Sequence, residues 1–447
     1  MATSNSTNET VVPKEYKTIF YLLVSCFALW GLVNAMAEVL VKAFESVFPQ
    51  LGQMGTVMTV TSHYGAYAVL AIPAAMIIKK YSYKAGVLLG LGVFFFGVLG
   101  YVPAALFHSY EICLCSIFIY ASGCSILETT CNPFVLAMGP QETAVRRLNF
   151  AQQFNPVGCL IGLCVAKYAI FANMTQVEKG QTLTEAQLSD NLVWLVTPYV
   201  VLAAVVLCLW LVFKAKQIPR ISESGSSADE EHSFGVSLKN LLNIPRYYCG
   251  VITQFFYVGL QTITWVYVLL YAGKDKTGES YISGLGYSDE TAMYFYISSM
   301  VCFIVFRFIC TALMKKFIPA NMMSVFAVIG VLLCLGAVYL PGIQGLLCVV
   351  GISATLSLMF PTIYGIALRD LGPDSKLGAA GLVMSILGGA AVPPIFAQCL
   401  ESGCLTDLVF GLYSGQEAAL RSCYFINILC LAIVLAYGLF FRKSHTK

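Results

Sequence analysis

Charge is what this chain has least of. Of its 447 residues, 11% are Asp, Glu, Lys or Arg, where a soluble protein carries about 25%. So little charge excludes a water-soluble domain of this length. The motifs of catalysis are missing too. There is no Gly-x-x-x-x-Gly-Lys phosphate loop, nucleophile elbow or metal-ligand cluster, so no enzyme activity, cofactor or metal is expected. Nothing points to nucleic acid. The seventeen cysteines are scattered, with no C-x-x-C pair that has a matching partner or a nearby His pair. Residues such as Cys113, Cys115, Cys159, Cys164 and Cys310 read as small packing groups. Residues 1–15 are polar and the first apolar run is a full span, so no removable signal peptide is expected.

What is present is apolar sequence, 58% of the chain. It falls into about twelve runs near the length of about 20 residues that a helix needs to cross a bilayer. They cover approximately 18–42, 54–79, 83–107, 110–138, 145–172, 193–214, 247–272, 291–316, 319–341, 343–368, 377–399 and 419–441. This predicts an all-α, multi-pass membrane protein. With both termini inside, about nineteen Lys and Arg face the cytoplasm and about six face outside. The inner set includes Lys79, Lys80, Lys84, Arg146, Arg147, Lys315, Lys316 and Arg369. A plasma-membrane protein with cytoplasmic termini is therefore expected (in a Gram-negative host, the inner membrane). Asn5, Asn8 and Asn173 begin Asn-x-Ser/Thr sequons, and only Asn173 would face outside.

A polar stretch, 215–245, interrupts the runs and contains Ser224-Gly225-Ser226-Ser227-Ala228-Asp229-Glu230-Glu231. It divides the chain into an N-terminal tail (1–15), a six-helix half (16–214), the linker, a second six-helix half (246–441) and a C-terminal tail (442–447). The halves echo each other. Ile78-Lys79-Lys80-Tyr81 answers Met314-Lys315-Lys316-Phe317, and Met138-Gly139-Pro140 answers Leu371-Gly372-Pro373, both at an offset of about 235 residues. Two parallel six-span repeats are the trace of the major facilitator fold, with a solute site between the halves near the midplane. Prolines recur at matching places: Pro133 with Pro361, and Pro156 with Pro393-Pro394. Such breaks are tolerated where protein or a watery cavity serves the freed backbone groups, and they can set the curvature of a gate.

Ionisable residues away from span ends are Glu38, Glu128 and Arg307. Glu38 lies about a turn from the outer end of span 1, from where it can reach the interface. Glu128 is too deep for that, and an ionised carboxylate there costs several kcal/mol unless neutralised, paired or wetted. Burial disfavours the charged form of a carboxyl group, so such a group can exchange a proton as water enters and leaves. One proton moving through 100 mV releases about 2.3 kcal/mol, enough for a solute gradient of about 50-fold. Arg307 is expected to close a gate or to pair with an acid.

Amides and aromatics cluster in the same spans. Asn149, Gln152 and Asn155 follow one another at three-residue steps, so the three share a helix face. Gln153 adds a further amide. Gln254, Tyr257, Gln261 and Trp265 make a second stripe, with Thr262 and Tyr271 nearby. Amides both donate and accept, as a ring of hydroxyl groups requires, while an aromatic face suits the C–H face of a pyranose. Helix–helix packing is the competing explanation for each residue taken alone.

Leu127-Glu128-Thr129-Thr130-Cys131-Asn132-Pro133-Phe134, then Met138-Gly139-Pro140-Gln141-Glu142-Thr143, then Arg147-Leu148-Asn149-Phe150-Ala151-Gln152-Gln153-Phe154-Asn155-Pro156 resemble the fucose–proton symporters of the major facilitator superfamily. Lys79-Lys80-Tyr81-Ser82-Tyr83-Lys84-Ala85-Gly86 and Tyr257-Val258-Gly259-Leu260-Gln261-Thr262 are similar as well. The likeness runs over nearly the whole chain, apart from the N-terminal tail and the linker. The resemblance implies an inner-membrane importer of L-fucose driven by protons, probing its solute with Glu128, Gln152 and Asn155. Glu at position 128 points to the fucose-type branch, since related hexose carriers tend to have Gln there. The resemblance also implies a second, proton-handling Asp in span 1. Here the segment reads Asn34-Ala35-Met36-Ala37-Glu38, with no Asp, and Glu38 matches the acid's place in one branch.

The expected proton-coupling residues are thus Glu128 and Glu38. The expected substrate contacts are Glu128, Gln152, Asn155, Asn34, Gln261 and Trp265. Pro133, Pro156, Pro361 and Arg307 are expected to gate or shape the path. The expected partners are a monosaccharide, protons and the bilayer, with the chain acting as a monomer. A uniporter or a symporter of another hexose is the alternative. A non-transporting sugar sensor is a remote one, since no long signalling tail is present.

Overall fold

The computed structural model describes residues 12–47, 52–171, 173, 184–217, 233–274 and 280–442, with side chains described except at 37–47, 52–57, 171, 185, 188, 289 and 290. Among them are twelve helical segments long and apolar enough to cross a membrane. Spans 1 to 6 are Lys14–Met36, Met58–Lys80, Tyr83–Leu106, Tyr110–Ala137, Gln141–Ile170 and Ser189–Ala215. Spans 7 to 12 are Pro245–Ala272, Thr291–Leu313, Pro319–Tyr339, Gly342–Leu368, Gly372–Ser402 and Gly415–Phe441. No strand occurs among the described residues. The expected all-α, twelve-span architecture is what forms. Hydrocarbon offers no partner for a free amide, so each apolar run closes its hydrogen bonds within one helix.

Helix starts follow local chemistry. Ser82 accepts from Ala85 N at 3.1 Å and opens span 3, and Ser109 accepts from Ile112 N at 3.3 Å and opens span 4. Span 6 is preceded by a capping box between Thr184 and Gln187. Pro245 and Pro319 stand in the first turns of spans 7 and 9, where a missing N–H costs nothing.

The repeat visible in the sequence is visible in the breaks. Span 5 begins with a 3-10 turn, runs as a helix over Ala144–Gln152, and restarts as Phe154–Val165. Span 11 begins with a 3-10 turn, runs over Ser375–Met384, and restarts as Gly388–Ser402. Close helix packing repeats too. A Cβ on Gly158 of span 5 would overlap the Ala28 carbonyl of span 1, and a Cβ on Gly388 of span 11 would overlap the Phe255 carbonyl of span 7. Only glycine permits these approaches, which bring each pair of helices together inside its own half.

Between halves, span 2 packs on span 11 and span 5 on span 8. If spans 7 to 12 repeat spans 1 to 6, these are one contact made twice, as a two-fold relation requires. Several cross-half approaches lie at the end that carries the 215–245 connection, hereafter the linker end. There Val145 fills the space beside Gly365, Asn149 Nδ2 lies 3.5 Å from Thr362 Oγ1, and Lys376 Nζ stands 5.5 Å from the Tyr83 ring centre.

The linker is less featureless than its polar composition suggests. Phe234–Leu242 forms a helix. Its Asn240 Nδ2 donates to Asp374 Oδ2 of span 11 at 3.0 Å, and Ser237 Oγ accepts from Lys79 Nζ of span 2 at 3.4 Å. The expected linker boundary at 245 thus encloses an amphipathic helix that touches both halves. Apolar residues at helical spacing within 234–242 carry that signal.

Candidate functional site

A cavity of about 190 Å³ lies between the halves. It falls below the roughly 300 Å³ at which drug-sized pockets begin, so it fits a small solute. Spans 1, 2, 4 and 5 form one wall and spans 7, 8, 10 and 11 the other. Glu128 is its one carboxyl-bearing residue among the described side chains, in a residue 6% exposed.

Glu128 has no ion-pair partner among the described residues. One turn further along span 4, Asn132 Oδ1 accepts from Gln152 Nε2 of span 5 at 2.8 Å. Asn132 Nδ2 is left unpaired beside the carboxyl, as is the hydroxyl of Tyr364 from span 10, which borders the same charge. The acid therefore meets amide and phenol dipoles, without a fixed cation. Such a setting leaves room for a proton or a hydroxylated solute to complete the hydrogen bonding.

Asn34, Gln152, Asn155, Gln261 and Trp265 line the cavity with Glu128. Their freedom differs. Asn155 is tied to span 1: in the amide orientation that satisfies both groups, its oxygen accepts from Trp30 Nε1 and from Gly31 N at 3.3 Å. Trp265 packs edge-on against Phe303 at 5.3 Å and keeps an unpaired Nε1. The side chain of Glu38 lies outside the described residues.

Two expected stripes reach the cavity only in part. Gln152 and Asn155 both line it, whereas Asn149 does not. Pro156 has no N–H for the Gln152 carbonyl. Asn149 serves the linker-end contact, and Asn155 also serves span 1. The span 7 stripe also splits. Gln261 and Trp265 reach the cavity, whereas Tyr257 donates to Leu356 O of span 10 at 3.0 Å. Gln254 is fully buried outside the cavity lining.

Arg307 pairs with no acid among the described residues, contrary to one of its expected roles. It is buried, stands 5.0 Å from the Phe303 ring centre, and donates from Nη1 to the Gln152 carbonyl at 3.1 Å. The prolines behave differently from one another. Pro133 sits inside an unbroken helix, Pro156 follows the break in span 5, and Pro361 follows a break after Leu356 in span 10. Sequence reasoning passed over His63, Tyr64 and Tyr67 on the span 2 wall. A histidine within an apolar run was the signal.

The profile of the Major Facilitator Superfamily matches residues 18–393. The chain belongs to this superfamily, in the family of the L-fucose–proton symporters. It is 36% identical to the L-fucose-proton symporter of Haemophilus influenzae, over 96% of this chain and 98% of that one. Identity to the L-fucose-proton symporter of Escherichia coli is 32%, over 97% and 95%. The crystal structure of the MFS transporter FucP in the outward conformation superposes with a TM-score of 0.82 at 31% identity, covering 96% of this chain and 99% of that chain. The family is one of transporters and not of enzymes, as the absence of catalytic motifs led us to expect.

Proposed function

We propose that this protein imports L-fucose together with a proton by alternating access. The observation that carries this reading is the carboxyl of Glu128 in a cavity shared by the two halves, free of any described counter-cation. Its relatives named as L-fucose-proton symporters support both the sugar and the coupling ion.

In the mechanism, the sugar enters from the end opposite the linker. It lies between the amide-bearing first-half wall and Trp265, bonding its hydroxyls to Gln152, Asn34 and Gln261. Glu128 takes a proton in the same step, which removes a charge that the closed cavity could not solvate. The halves then rock, opening the linker-end contacts of Val145 with Gly365 and Asn149 with Thr362. Water reaching Glu128 from that side allows the proton to leave. The basic residues at the linker end support a cytoplasmic placement of that end and of both termini. The linker-end contacts and the likeness to a transporter in the outward conformation support reading this state as outward-facing.

Uptake in proteoliposomes with an imposed pH gradient tests the reading. Labelled L-fucose should accumulate when the outside is acidic, with galactose, glucose and N-acetylglucosamine as competitors. Equilibration without accumulation would mean a uniporter, and accumulation of another hexose alone would reassign the substrate.

A further inference from the structure

His63 is the one histidine that lies within a span among the described residues. It stands on the span 2 wall of the cavity. Its Nδ1 is 3.3 Å from the hydroxyl of Tyr120 on span 4. Three rings box in the imidazole: Tyr64 at 5.2 Å, Tyr67 at 5.4 Å and Tyr120 at 5.9 Å between centroids. Its remaining side faces the cavity. Nε2 has no hydrogen-bond partner among the described residues.

His63 is half-buried, and its Nε2 is not among the buried polar atoms left without a partner, so it is open to the cavity. Here one nitrogen is anchored and the other is left for whatever fills the cavity. Anchoring and boxing also fix the ring before the solute arrives, which lowers the entropy lost on binding. The neighbours are phenols and not carboxylates, so the geometry does not mark the ring as half of an ion pair.

We propose that His63 binds the sugar directly, its Nε2 meeting one hydroxyl from the half opposite Trp265. The inference deepens the carrier reading and rests on it. A sugar hydroxyl both donates and accepts, so either neutral tautomer serves, whichever way the Tyr120 bond is directed. A nitrogen built to meet one hydroxyl also discriminates: an analogue without that hydroxyl leaves it unpaired. His63 is then a determinant of which monosaccharide is accepted.

The test uses the full chain in proteoliposomes and measures counterflow of L-fucose and of its monodeoxy analogues. H63L should raise the KM for L-fucose about tenfold, the worth of roughly one hydrogen bond, with little change in maximal rate. H63Q, which keeps a donor and an acceptor, should stay within about threefold of wild type. One monodeoxy analogue should bind wild type as poorly as it binds H63L, with no further loss on mutation. Equal losses for every analogue would mean a packing role and overturn the proposal. An unchanged KM with an altered pH profile would also overturn it. If H63L fails to insert, H63F, of similar ring size, makes the same comparison. Wild-type counterflow separates the two levels: no transport of any monosaccharide overturns the carrier reading and this inference together, whereas normal wild-type transport with unaffected variants overturns the His63 assignment alone.

Discussion

Arg307 of the second half donates to the Gln152 carbonyl of the first at 3.1 Å, and Gln152 lies four residues before Pro156. That carbonyl is the one for which a proline cannot supply the helical N–H. The break in span 5 and the guanidinium from span 8 are thus complementary parts of one contact. Rocking the halves apart on this side would expose a buried carbonyl and a buried cation together.

The contact predicts a rescue. R307A should slow transport by about tenfold or more, since an orphaned buried carbonyl costs roughly 1–3 kcal/mol. P156A returns an N–H to position 156, so R307A combined with P156A should be less impaired than R307A alone. Counterflow rates of the four members of the cycle measure the coupling. Strict additivity would separate the two residues.

Glu128→Gln keeps shape and hydrogen bonding but removes the titrating group. Accumulation driven by a pH gradient should vanish, from a ceiling of about 50-fold at 100 mV, while sugar exchange persists. The sign is definite: wild-type uptake rises as the outside is acidified, and the variant's exchange should not respond. Undiminished accumulation in proteoliposomes would remove Glu128 from the coupling step.

Gly365 lies where even a Cβ would come within 2.8 Å of Val145 Cγ2 across the halves. Gly365→Val should therefore wedge the linker end open and shift the population toward the state open on that side. Hydrogen exchange over 144–152 should quicken, and the transport rate should fall. Wild-type exchange in that segment would show that the seal does not depend on this contact.

Glu38 is the acid offered by span 1 in place of the Asp that the family resemblance implies. Glu38→Gln should displace the pH dependence of uptake while leaving sugar binding at fixed pH largely intact. A superimposable pH profile would assign Glu38 to the outer interface instead.

Much of this was legible in order along the chain. Glu128 stood out because a carboxyl in an apolar run has few explanations. Trp265 and Gln261 stood out because their spacing put them on one face. What the sequence did not show has a common origin. Spacing groups Asn149 with Gln152 and Asn155, but only the last two line the cavity, while Asn149 meets Thr362 of span 10. Pairing with an acid was one of the two roles expected of Arg307, because opposite charge is the partner a sequence can display. Its actual partner is a backbone carbonyl, which has no letter in the sequence. His63 drew no notice among so many apolar neighbours.

The sequence by itself determined the twelve spans and the basic bias of one end, because apolar length and charge act locally along a chain. It also determined that an acid must lie at depth. Only the tertiary structure decided what each polar group does there. Periodicity says which side chains share a helix face but not which helix will pack on it. Asn155 was therefore claimed by Trp30 and Gly31, Asn149 by Thr362, and the Gln152 carbonyl by Arg307. What those pairings left unclaimed, the Glu128 carboxyl and the His63 Nε2, is what faces the cavity.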